Sequence, residues 1–451
     1  MRKTRILLTV AALMVLILTC AASAEEEKTV ITWWSGDGAV IEYNQKKVAE
    51  FNENNPYNIE INFVYNSENT ETMLAMAIQS GQAPDILTAS SASSSYDLKT
   101  YIDNGYIMPL NSLITDEFAE ATNCYNLMYQ GINAWGEDIY WVPTAIRGSV
   151  RLIYNKELVE KANVAMPTTL DELVEVADII TKQGEGVYYG TAVCGASSPW
   201  ERMCRPIAEK SGILPYDYVN GKFDFSGYTP IIEAFRQIVA NNSFFPGTDT
   251  LKVDPLRANF AEGLIGFYGN AAQEVGVLTS QFVPKMEWGI ADLPTVDGEV
   301  KGAVGYVVNH GYQIVRTSQN PEAAFKVIQW LSSEDYLRDF YLNALGQPIT
   351  EYWINEMADE DLGAIAEYSL QPFDSIYPKI PAVTPEGDFY ETALWNLIWS
   401  DEEIDPALEE LTESYNYAYE REIKMGKVQR LTVPDFDIMN PGAGTLVFSD
   451  Q

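Results

Sequence analysis

Apolar and polar residues alternate with two different periodicities along the first hundred residues of the chain. At Ile59, Ile61 and Phe63 every second residue is apolar, which is typical of a half-buried β-strand. Val48 and Phe51 lie about one helical turn apart, which is typical of an amphipathic helix. Because predicted strands alternate with predicted helices along the sequence, the pattern predicts a mainly parallel sheet covered on both faces by helices. The predicted strands span 30–34, 59–65 and 85–87, and the predicted helices span 41–54, 70–80 and 96–104.

The middle of the chain repeats this alternation. Thr169 is a suitable N-cap for a helix whose first turn carries Asp171 and Glu172. Pro321 stands at the first position of another helix. The last hundred residues look mostly helical and aromatic-rich, and the tail from Gly426 is expected to be irregular. Further strands are predicted over 150–154, 187–193, 264–268, 288–291, 304–308 and 312–315, and further helices over 169–182, 199–210, 229–240, 255–262 and 321–331.

Two α/β sets follow each other along the chain, roughly over 28–146 and 147–300. The sequence between them contains no Pro- or Ser-rich linker, which favours a hinge made of extended crossing segments. In open α/β sheets, ligands bind outside the carboxyl ends of the strands. The facing loops of two such lobes therefore predict a ligand cleft.

Residues 1–24 have the pattern of an export signal and not of a folded segment. Arg2, Lys3 and Arg5 precede an apolar run over 6–18, which is short for a membrane span, and Ala22-Ser23-Ala24 offers a cleavage site. A second interpretation stays open, because Ile17-Leu18-Thr19-Cys20 looks like a lipoprotein signal that would leave Cys20 to carry lipid. Thr19 departs from the Gly, Ala or Ser usual at its position. Either way we expect a periplasmic or extracellular protein.

The amino-acid composition argues against several classes of function. The chain of 451 residues has 29 basic and 64 acidic side chains, a formal charge of −35, which disfavours binding to nucleic acids and to anionic membranes. Its single histidine, His310, argues against a zinc site and most Ser-His-Asp triads. Phosphate-loop, dinucleotide-binding, nucleophile-elbow and metalloprotease motifs are all missing from the sequence. No metal or cofactor is expected.

Three cysteines follow the predicted signal. Cys194 and Cys204 are close enough in sequence to pair in an oxidising compartment. An equally good interpretation is that these two and Cys124 are small buried side chains.

Residues at the predicted strand ends suit a sugar. An aromatic ring can pack on the apolar face of a pyranose, while Asp, Asn, Gln and Arg form paired hydrogen bonds with hydroxyls. One of Trp33 and Trp34 is expected to face the core, since neighbours on a strand point to opposite sides. The candidate ligand-binding residues at strand ends are Trp34, Asp37, Ser90, Ser91, Arg147, Trp200, Asn270 and Gln273.

Several short segments, in order, resemble the extracellular solute-binding proteins of ABC importers, in particular the carbohydrate-binding group that includes maltose-binding protein. The similarity extends over nearly the whole chain after the signal. The segments are Val30-Ile31-Thr32-Trp33-Trp34, Ser80-Gly81-Gln82-Ala83-Pro84-Asp85-Ile86, Val142-Pro143, Leu152-Ile153-Tyr154-Asn155-Lys156-Glu157-Leu158, Phe260-Ala261-Glu262-Gly263, Asn320-Pro321-Glu322-Ala323-Ala324-Phe325 and Trp330-Leu331-Ser332-Ser333.

The resemblance implies a type II periplasmic-binding-protein-like fold, with two α/β lobes joined by crossing hinge segments. It assigns 28–146 plus 301–350 to lobe 1, 147–300 plus 351–425 to lobe 2, and 426–451 to a C-terminal tail. It implies a monomer that closes on a mono- or oligosaccharide and delivers it to a membrane permease.

The same resemblance bears on individual residues. It places Trp200 where an aromatic ring stacks on sugar, and it adds Gly305 and Tyr306, at the return crossing, to the ligand-binding residues. Gln273 stands where many members carry Trp. A structural role is expected for His310.

Two other functions remain possible at this point. A secreted carbohydrate-active enzyme needs only a carboxylate pair, and carboxylates are abundant. A binder of a non-sugar solute such as a polyamine would suit the acidic composition, although Arg147 in the cleft would oppose a cationic ligand.

Overall fold

The computed structural model describes residues 28–66, 71–89, 98–196, 198–349 and 363–450. The strands are β1 Thr29–Ser35, β2 Ile59–Tyr65, β3 Ile86–Ala89, β4 Ala134–Trp135, β5 Asp138–Ile139, β6 Ala145–Arg147, β7 Arg151–Asn155, β8 Tyr189–Thr191, β9 Tyr216–Asp217, β10 Lys222–Phe223, β11 Ile265–Asn270, β12 Trp288–Ala291, β13 Val304–Gly305, β14 Val307–Asn309, β15 Gly311–Ile314, β16 Asp374–Ser375, β17 Arg430–Thr432 and β18 Val447–Ser449. The α-helices are α1 Ile41–Glu53, α2 Glu71–Ser80, α3 Leu98–Asp103, α4 Asp116–Thr122, α5 Lys156–Ala162, α6 Leu170–Gly184, α7 Arg205–Lys210, α8 Thr229–Ala240, α9 Val253–Ala261, α10 Gln273–Ser280, α11 Pro321–Leu331, α12 Glu334–Leu342, α13 Tyr390–Trp399 and α14 Ile404–Lys424.

The chain divides into two compact units. Unit 1 contains the described residues of 28–88 together with Gly105–Met108 and Gln313–Trp330. Unit 2 contains the remaining described residues, in Ala89–Asn104, Pro109–Tyr312 and Leu331–Gln451. These units do not coincide with the lobe boundaries expected above, which stay a prediction.

Unit 1 is built around a sheet with the strand order β15-β3-β1-β2. Strand β1 is parallel to both β2 and β3, so the parallel arrangement predicted here is confirmed. Ile31 and Trp33 are buried, whereas Trp34 is half-buried, as expected from the alternation. Asp85, from one of the segments that carry the resemblance, accepts hydrogen bonds from the Thr32 amide (2.9 Å) and the Ser318 hydroxyl (2.5 Å).

Unit 2 contains a sheet with the order β12-β7-β11-β8. Strand β11 is parallel to β8 but antiparallel to β7, and β12 is also antiparallel to β7. The expectation of a mainly parallel sheet is wrong here, because β7 lies between β12 and β11 and runs antiparallel to both of them. Hydrophobic periodicity predicts that a strand exists, but it carries no information about strand direction.

Local signals give correct boundaries where they are strong. Thr169 caps α6 in a full capping box with Glu172, and α8, α11 and β12 begin and end where predicted. The tail is more regular than expected, since β17 and β18 pair antiparallel. The segment predicted as one helix over 199–210 begins as a π-helix, Trp200–Cys204, before α7.

All three described cysteines, Cys124, Cys194 and Cys204, are buried thiols. This supports the interpretation of Cys194 and Cys204 as packing residues and not as a disulfide. In the part of the chain that the structure describes, no helix is long and apolar enough to cross a bilayer.

Candidate functional site

A cavity of about 630 Å³ lies within unit 2. One wall is the loop after β8 and the start of the π-helix, and the other wall is α13. Asp249, on a short 3₁₀-helix, closes a third side. The lining residues are Gly195, Ala196, Ser198, Pro199, Trp200, Glu201, Asp249, Glu391, Thr392, Trp395, Asn396, Trp399 and Ser400.

Helical spacing explains the wall that α13 contributes. Glu391, Trp395 and Trp399 are four residues apart and therefore share one face of the helix, which lines the cavity. Leu394 and Ile398 are fully buried in the hydrophobic core of unit 2. The same helix thus anchors itself in the core and presents two tryptophans and a carboxylate to the cavity.

Two glycines allow the opposite wall to approach its neighbours closely. A Cβ on Gly269 in β11 would lie 2.1 Å from the Arg202 carbonyl oxygen, so a side chain there would push the π-helix away. A Cβ on Gly195 would lie 2.1 Å from the Thr248 carbonyl oxygen, which accepts the Gly195 amide hydrogen bond at 3.1 Å. Such close backbone approach requires glycine. π-Helical turns inside helices are frequent at functional sites.

Trp200 opens the π-helix, and its side chain is fully buried. Its ring makes an edge-to-face contact with Tyr228, with ring centroids 5.3 Å apart. Its indole N–H has no acceptor among the described residues. A buried N–H without a partner is energetically costly, by about 1–3 kcal/mol. The ring of Trp200 is thus packed against Tyr228 in the structure, and the stacking role that the resemblance implies for it stays a prediction.

Trp395 and Trp399 supply the aromatic surface. Their rings meet edge-to-face with centroids 5.8 Å apart, and Trp399 also packs on Phe244. Trp399 is 38% exposed, whereas Trp395 is buried. Sequence reasoning noted these residues only as part of an aromatic-rich helix. The signal that could have found them is the polar and aromatic set at 391, 395 and 399 on an otherwise apolar helix.

The charged groups of this cavity are carboxylates. Glu201 lies 3.5 Å from Arg205, which in turn lies 3.5 Å from Glu209, outside the cavity lining. Glu391 and Asp249 form no ion pair with any described residue. Burial raises the pKa of Glu391, nearby Glu201 raises it further, and Arg205 opposes the shift. Burial also raises the pKa of Glu209, although Arg205 and the amide of Gly305 favour its charged form.

Among the residues predicted to bind ligand in unit 2, only Trp200 lines this cavity. Asn270 is buried, and its side-chain oxygen accepts from Arg202 Nη1 at 2.8 Å and from the Ala271 amide at 3.0 Å. Gln273 begins α10, and its Oε1 is buried without a donor in the described structure.

Three further candidates lie elsewhere in unit 2, in β6, in β13 and directly after β13. Arg147 is half-buried at the end of β6, opposite Val307 of β14. Gly305 donates its amide to Glu209 at 2.9 Å, and the hydroxyls of Tyr306 and Tyr129 lie 3.4 Å apart.

His310, also in unit 2, is buried and packs edge-to-face on Phe340, which fits the structural role expected for it.

Unit 1 holds the two remaining described candidates. Trp34 is half-buried at the end of β1. Asp37 follows in the turn, and its amide donates to Ser35 Oγ at 3.4 Å. Ser90 and Ser91 lie outside the described residues. The ligand-binding roles of all these residues stay predictions.

Within the ranges that the structure covers, no group of three or more His, Cys, Asp or Glu side chains could hold a metal ion.

The sequence profile described as "Bacterial extracellular solute-binding protein" matches residues 38–338. The chain belongs to this family. A search of curated protein sequences returned no significant match.

Solved structures resemble this solute-binding protein in fold. One is the ABC substrate-binding protein Lmo0181 from Listeria monocytogenes in complex with cycloalternan, at 18% identity and TM-score 0.64, covering 87% of this chain and 99% of that one. Another is the GacH receptor of Streptomyces glaucescens, solved unliganded and with acarbose, at 17% identity and TM-score 0.64 with the same coverage. A third, from Agrobacterium radiobacter K84 in complex with ribitol, has 18% identity and TM-score 0.64, covering 86% and 98%.

These matches confirm the mixed α/β periplasmic-binding-protein fold. The family is extracellular, and its members bind solutes for ABC transporters and are not enzymes. The alternative of a secreted carbohydrate-active enzyme is therefore set aside.

Proposed function

We propose that this solute-binding protein takes up a sugar or oligosaccharide and delivers it to the permease of an ABC transporter. The observation that carries the proposal is the cavity of unit 2, where the exposed ring of Trp399 lies among the polar side chains of Glu391, Thr392 and Asn396. Aromatic rings pack on the apolar faces of pyranoses, and surrounding polar groups bond their hydroxyls.

The structural neighbours support a saccharide. Lmo0181 was solved with cycloalternan, and the GacH receptor with acarbose. The neighbour solved with ribitol carries a polyol, which presents the same hydroxyl chemistry. Export of the chain and delivery to a permease follow the general role of the family.

A ligand screen followed by one variant tests the proposal. The purified protein is first screened by thermal shift against mono- and oligosaccharides, polyols, amino acids and polyamines, because a ligand that binds only the native state raises the melting temperature. Titration calorimetry then compares the best ligand on wild type and on Trp399→Ala.

We expect a saccharide to give the largest shift and Trp399→Ala to weaken its binding about tenfold or more, through loss of ring stacking. Tyr417→Ala is the matched control, because Tyr417 is an exposed aromatic on α14 that does not line the cavity. A shift confined to amino acids or polyamines would overturn the saccharide proposal, and equal affinity in Trp399→Ala would remove this cavity from it.

A further inference from the structure

Arg236, on α8, binds the end of the helix that carries Trp399. Its guanidinium donates from Nε and Nη2 to the carbonyl oxygen of Leu397, at 3.0 and 2.8 Å. Nη2 also donates to the carbonyl oxygen of Glu402 at 2.8 Å and to Ser400 Oγ at 3.4 Å. One side chain therefore ties together the last turn of α13 and the segment that follows it.

The last turn of α13 needs a donor from outside the helix. The final four carbonyl groups of an α-helix have no partner within it, and the last turn of α13 contains no basic residue. The amide and the hydroxyl of Ser400 also reach the Leu397 oxygen, but only at 3.4 and 3.2 Å. A guanidinium suits this position, because it carries several N–H donors in a rigid fork and its positive charge meets the negative end of the helix dipole.

Arg236 is used differently from other arginines of unit 2. Arg205, Arg421 and Arg430 each form an ion pair with a carboxylate, whereas Arg236 forms none within the described ranges. It is half-buried, and it does not line the cavity. Any effect of Arg236 on a ligand in the cavity must therefore pass through α13.

Trp399 is the residue on which such an effect would act. It is the last residue of α13 and lies between the two carbonyl groups that Arg236 binds. Its ring packs on Trp395 and Phe244 but stays partly exposed. A ring at a helix end keeps its place only if that end does not fray. A binding group that is already in place loses less conformational freedom when its ligand arrives, so it binds more tightly.

We propose that Arg236 is a positioning residue for saccharide binding, which fixes the end of α13 and so holds the ring of Trp399 ready for the sugar. The inference rests on the proposed function, because it needs a saccharide packed on Trp399. It adds to that function a residue that lies outside the cavity and does not touch the ligand.

A double-mutant cycle on the purified protein tests the inference. The probe is the saccharide with the largest thermal shift among linear gluco-, xylo-, manno- and galacto-oligosaccharides. Titration calorimetry compares its affinity for wild type, Arg236→Met, Trp399→Ala and the double variant. Methionine keeps much of the aliphatic stem of arginine and removes its donors. We expect Arg236→Met to weaken binding about tenfold, and the double variant to bind no more weakly than Trp399→Ala.

Two further variants separate positioning from a general loss of stability. Arg430→Met is the control, because Arg430 is also half-buried, donates from Nη1 to the Gly221 carbonyl at 2.8 Å and does not line the cavity. It should lower the melting temperature and leave the affinity unchanged. Arg236→Lys keeps the charge but not the fork, and its affinity should be about threefold below wild type. If Arg236→Met does not fold, the cycle is made with Arg236→Lys.

The outcomes separate this inference from the proposed function. Wild-type affinity in Arg236→Met, or losses that multiply in the double variant, would overturn the inference while saccharide binding on Trp399 stands. An equal loss of affinity in Arg430→Met would also overturn it, because affinity would then follow stability alone. Wild-type affinity in Trp399→Ala, or no saccharide bound by wild type, would overturn the proposed site and the inference with it.

Discussion

Trp33 in unit 1 and Trp200 in unit 2 are both completely buried tryptophans next to a predicted ligand-binding segment. Trp33 donates its indole N–H to Thr88 Oγ1 at 2.8 Å, whereas the indole N–H of Trp200 has no acceptor in the described structure. The first residue is a satisfied core side chain, because its polar atom has a partner of its own unit. The second is a core side chain whose polar atom is buried without a partner in the described structure. Burial alone therefore does not show whether the polar atom of a tryptophan has a hydrogen-bond partner, and the two residues differ in that respect.

The largest expected effect concerns the backbone that positions Trp200. Gly269→Ala places a methyl group 2.1 Å from the Arg202 carbonyl oxygen, and a backbone atom cannot easily move away. We expect the variant to lose about 1–3 kcal/mol of unfolding free energy, measured by chemical denaturation.

The counterpart of this variant in unit 1 is Gly38→Ala. There a Cβ would meet only the Tyr65 hydroxyl, at 3.1 Å, which a side-chain movement can relieve. Its cost should be below about 1 kcal/mol. Equal losses of unfolding free energy in the two variants would contradict the requirement for glycine at position 269.

A smaller difference in unfolding free energy is expected between variants of the two tryptophans. Trp33→Phe removes the donor to Thr88 and some buried volume, whereas Trp200→Phe removes volume but no hydrogen bond within the protein. We expect Trp33→Phe to be less stable than Trp200→Phe by about 1 kcal/mol in denaturant titrations. A larger loss for Trp200→Phe would mean that its N–H has a stabilising partner in the folded, ligand-free protein.

The smallest effect is a pH dependence at the cavity. Burial raises the pKa of Glu391 in the folded state above its unfolded value, so the stability linked to its protonation is present in acid and lost as pH rises through the raised pKa. Glu391→Gln mimics the protonated form. Its melting temperature should exceed that of wild type at about pH 8, and the two should converge toward about pH 4.

Glu175→Gln serves as the control for this pH series, because Glu175 is exposed on α6. A difference between Glu391→Gln and wild type that is the same at every pH would contradict the raised pKa.

The contrast between the two tryptophans also marks what the sequence could predict. Alternation along β1 correctly predicts that only one of Trp33 and Trp34 faces the core, because two-residue periodicity is a local property of a strand; the buried residue is Trp33. The prediction of Thr169 as an N-cap is likewise local, and it is confirmed. In these places short-range chemistry decides the structure.

Where long-range packing decides, the sequence was less informative. Nothing local distinguishes the π-helix at Trp200–Cys204 from an α-helix, because its place depends on the close approach of Gly269 to Arg202. The reversed direction of β7 is set by its neighbours in the sheet and not by its own residues. The face that α13 presents to the cavity was visible as a spacing, but its partner, the loop after β8, is almost two hundred residues away in sequence.

A crystal structure of the protein with the saccharide that gives the largest thermal shift would show where the ligand binds. We expect a sugar ring packed on Trp399 in the unit 2 cavity, with its hydroxyls bonded to the polar side chains around that ring. A saccharide bound elsewhere, with the unit 2 cavity empty, would contradict the proposed site.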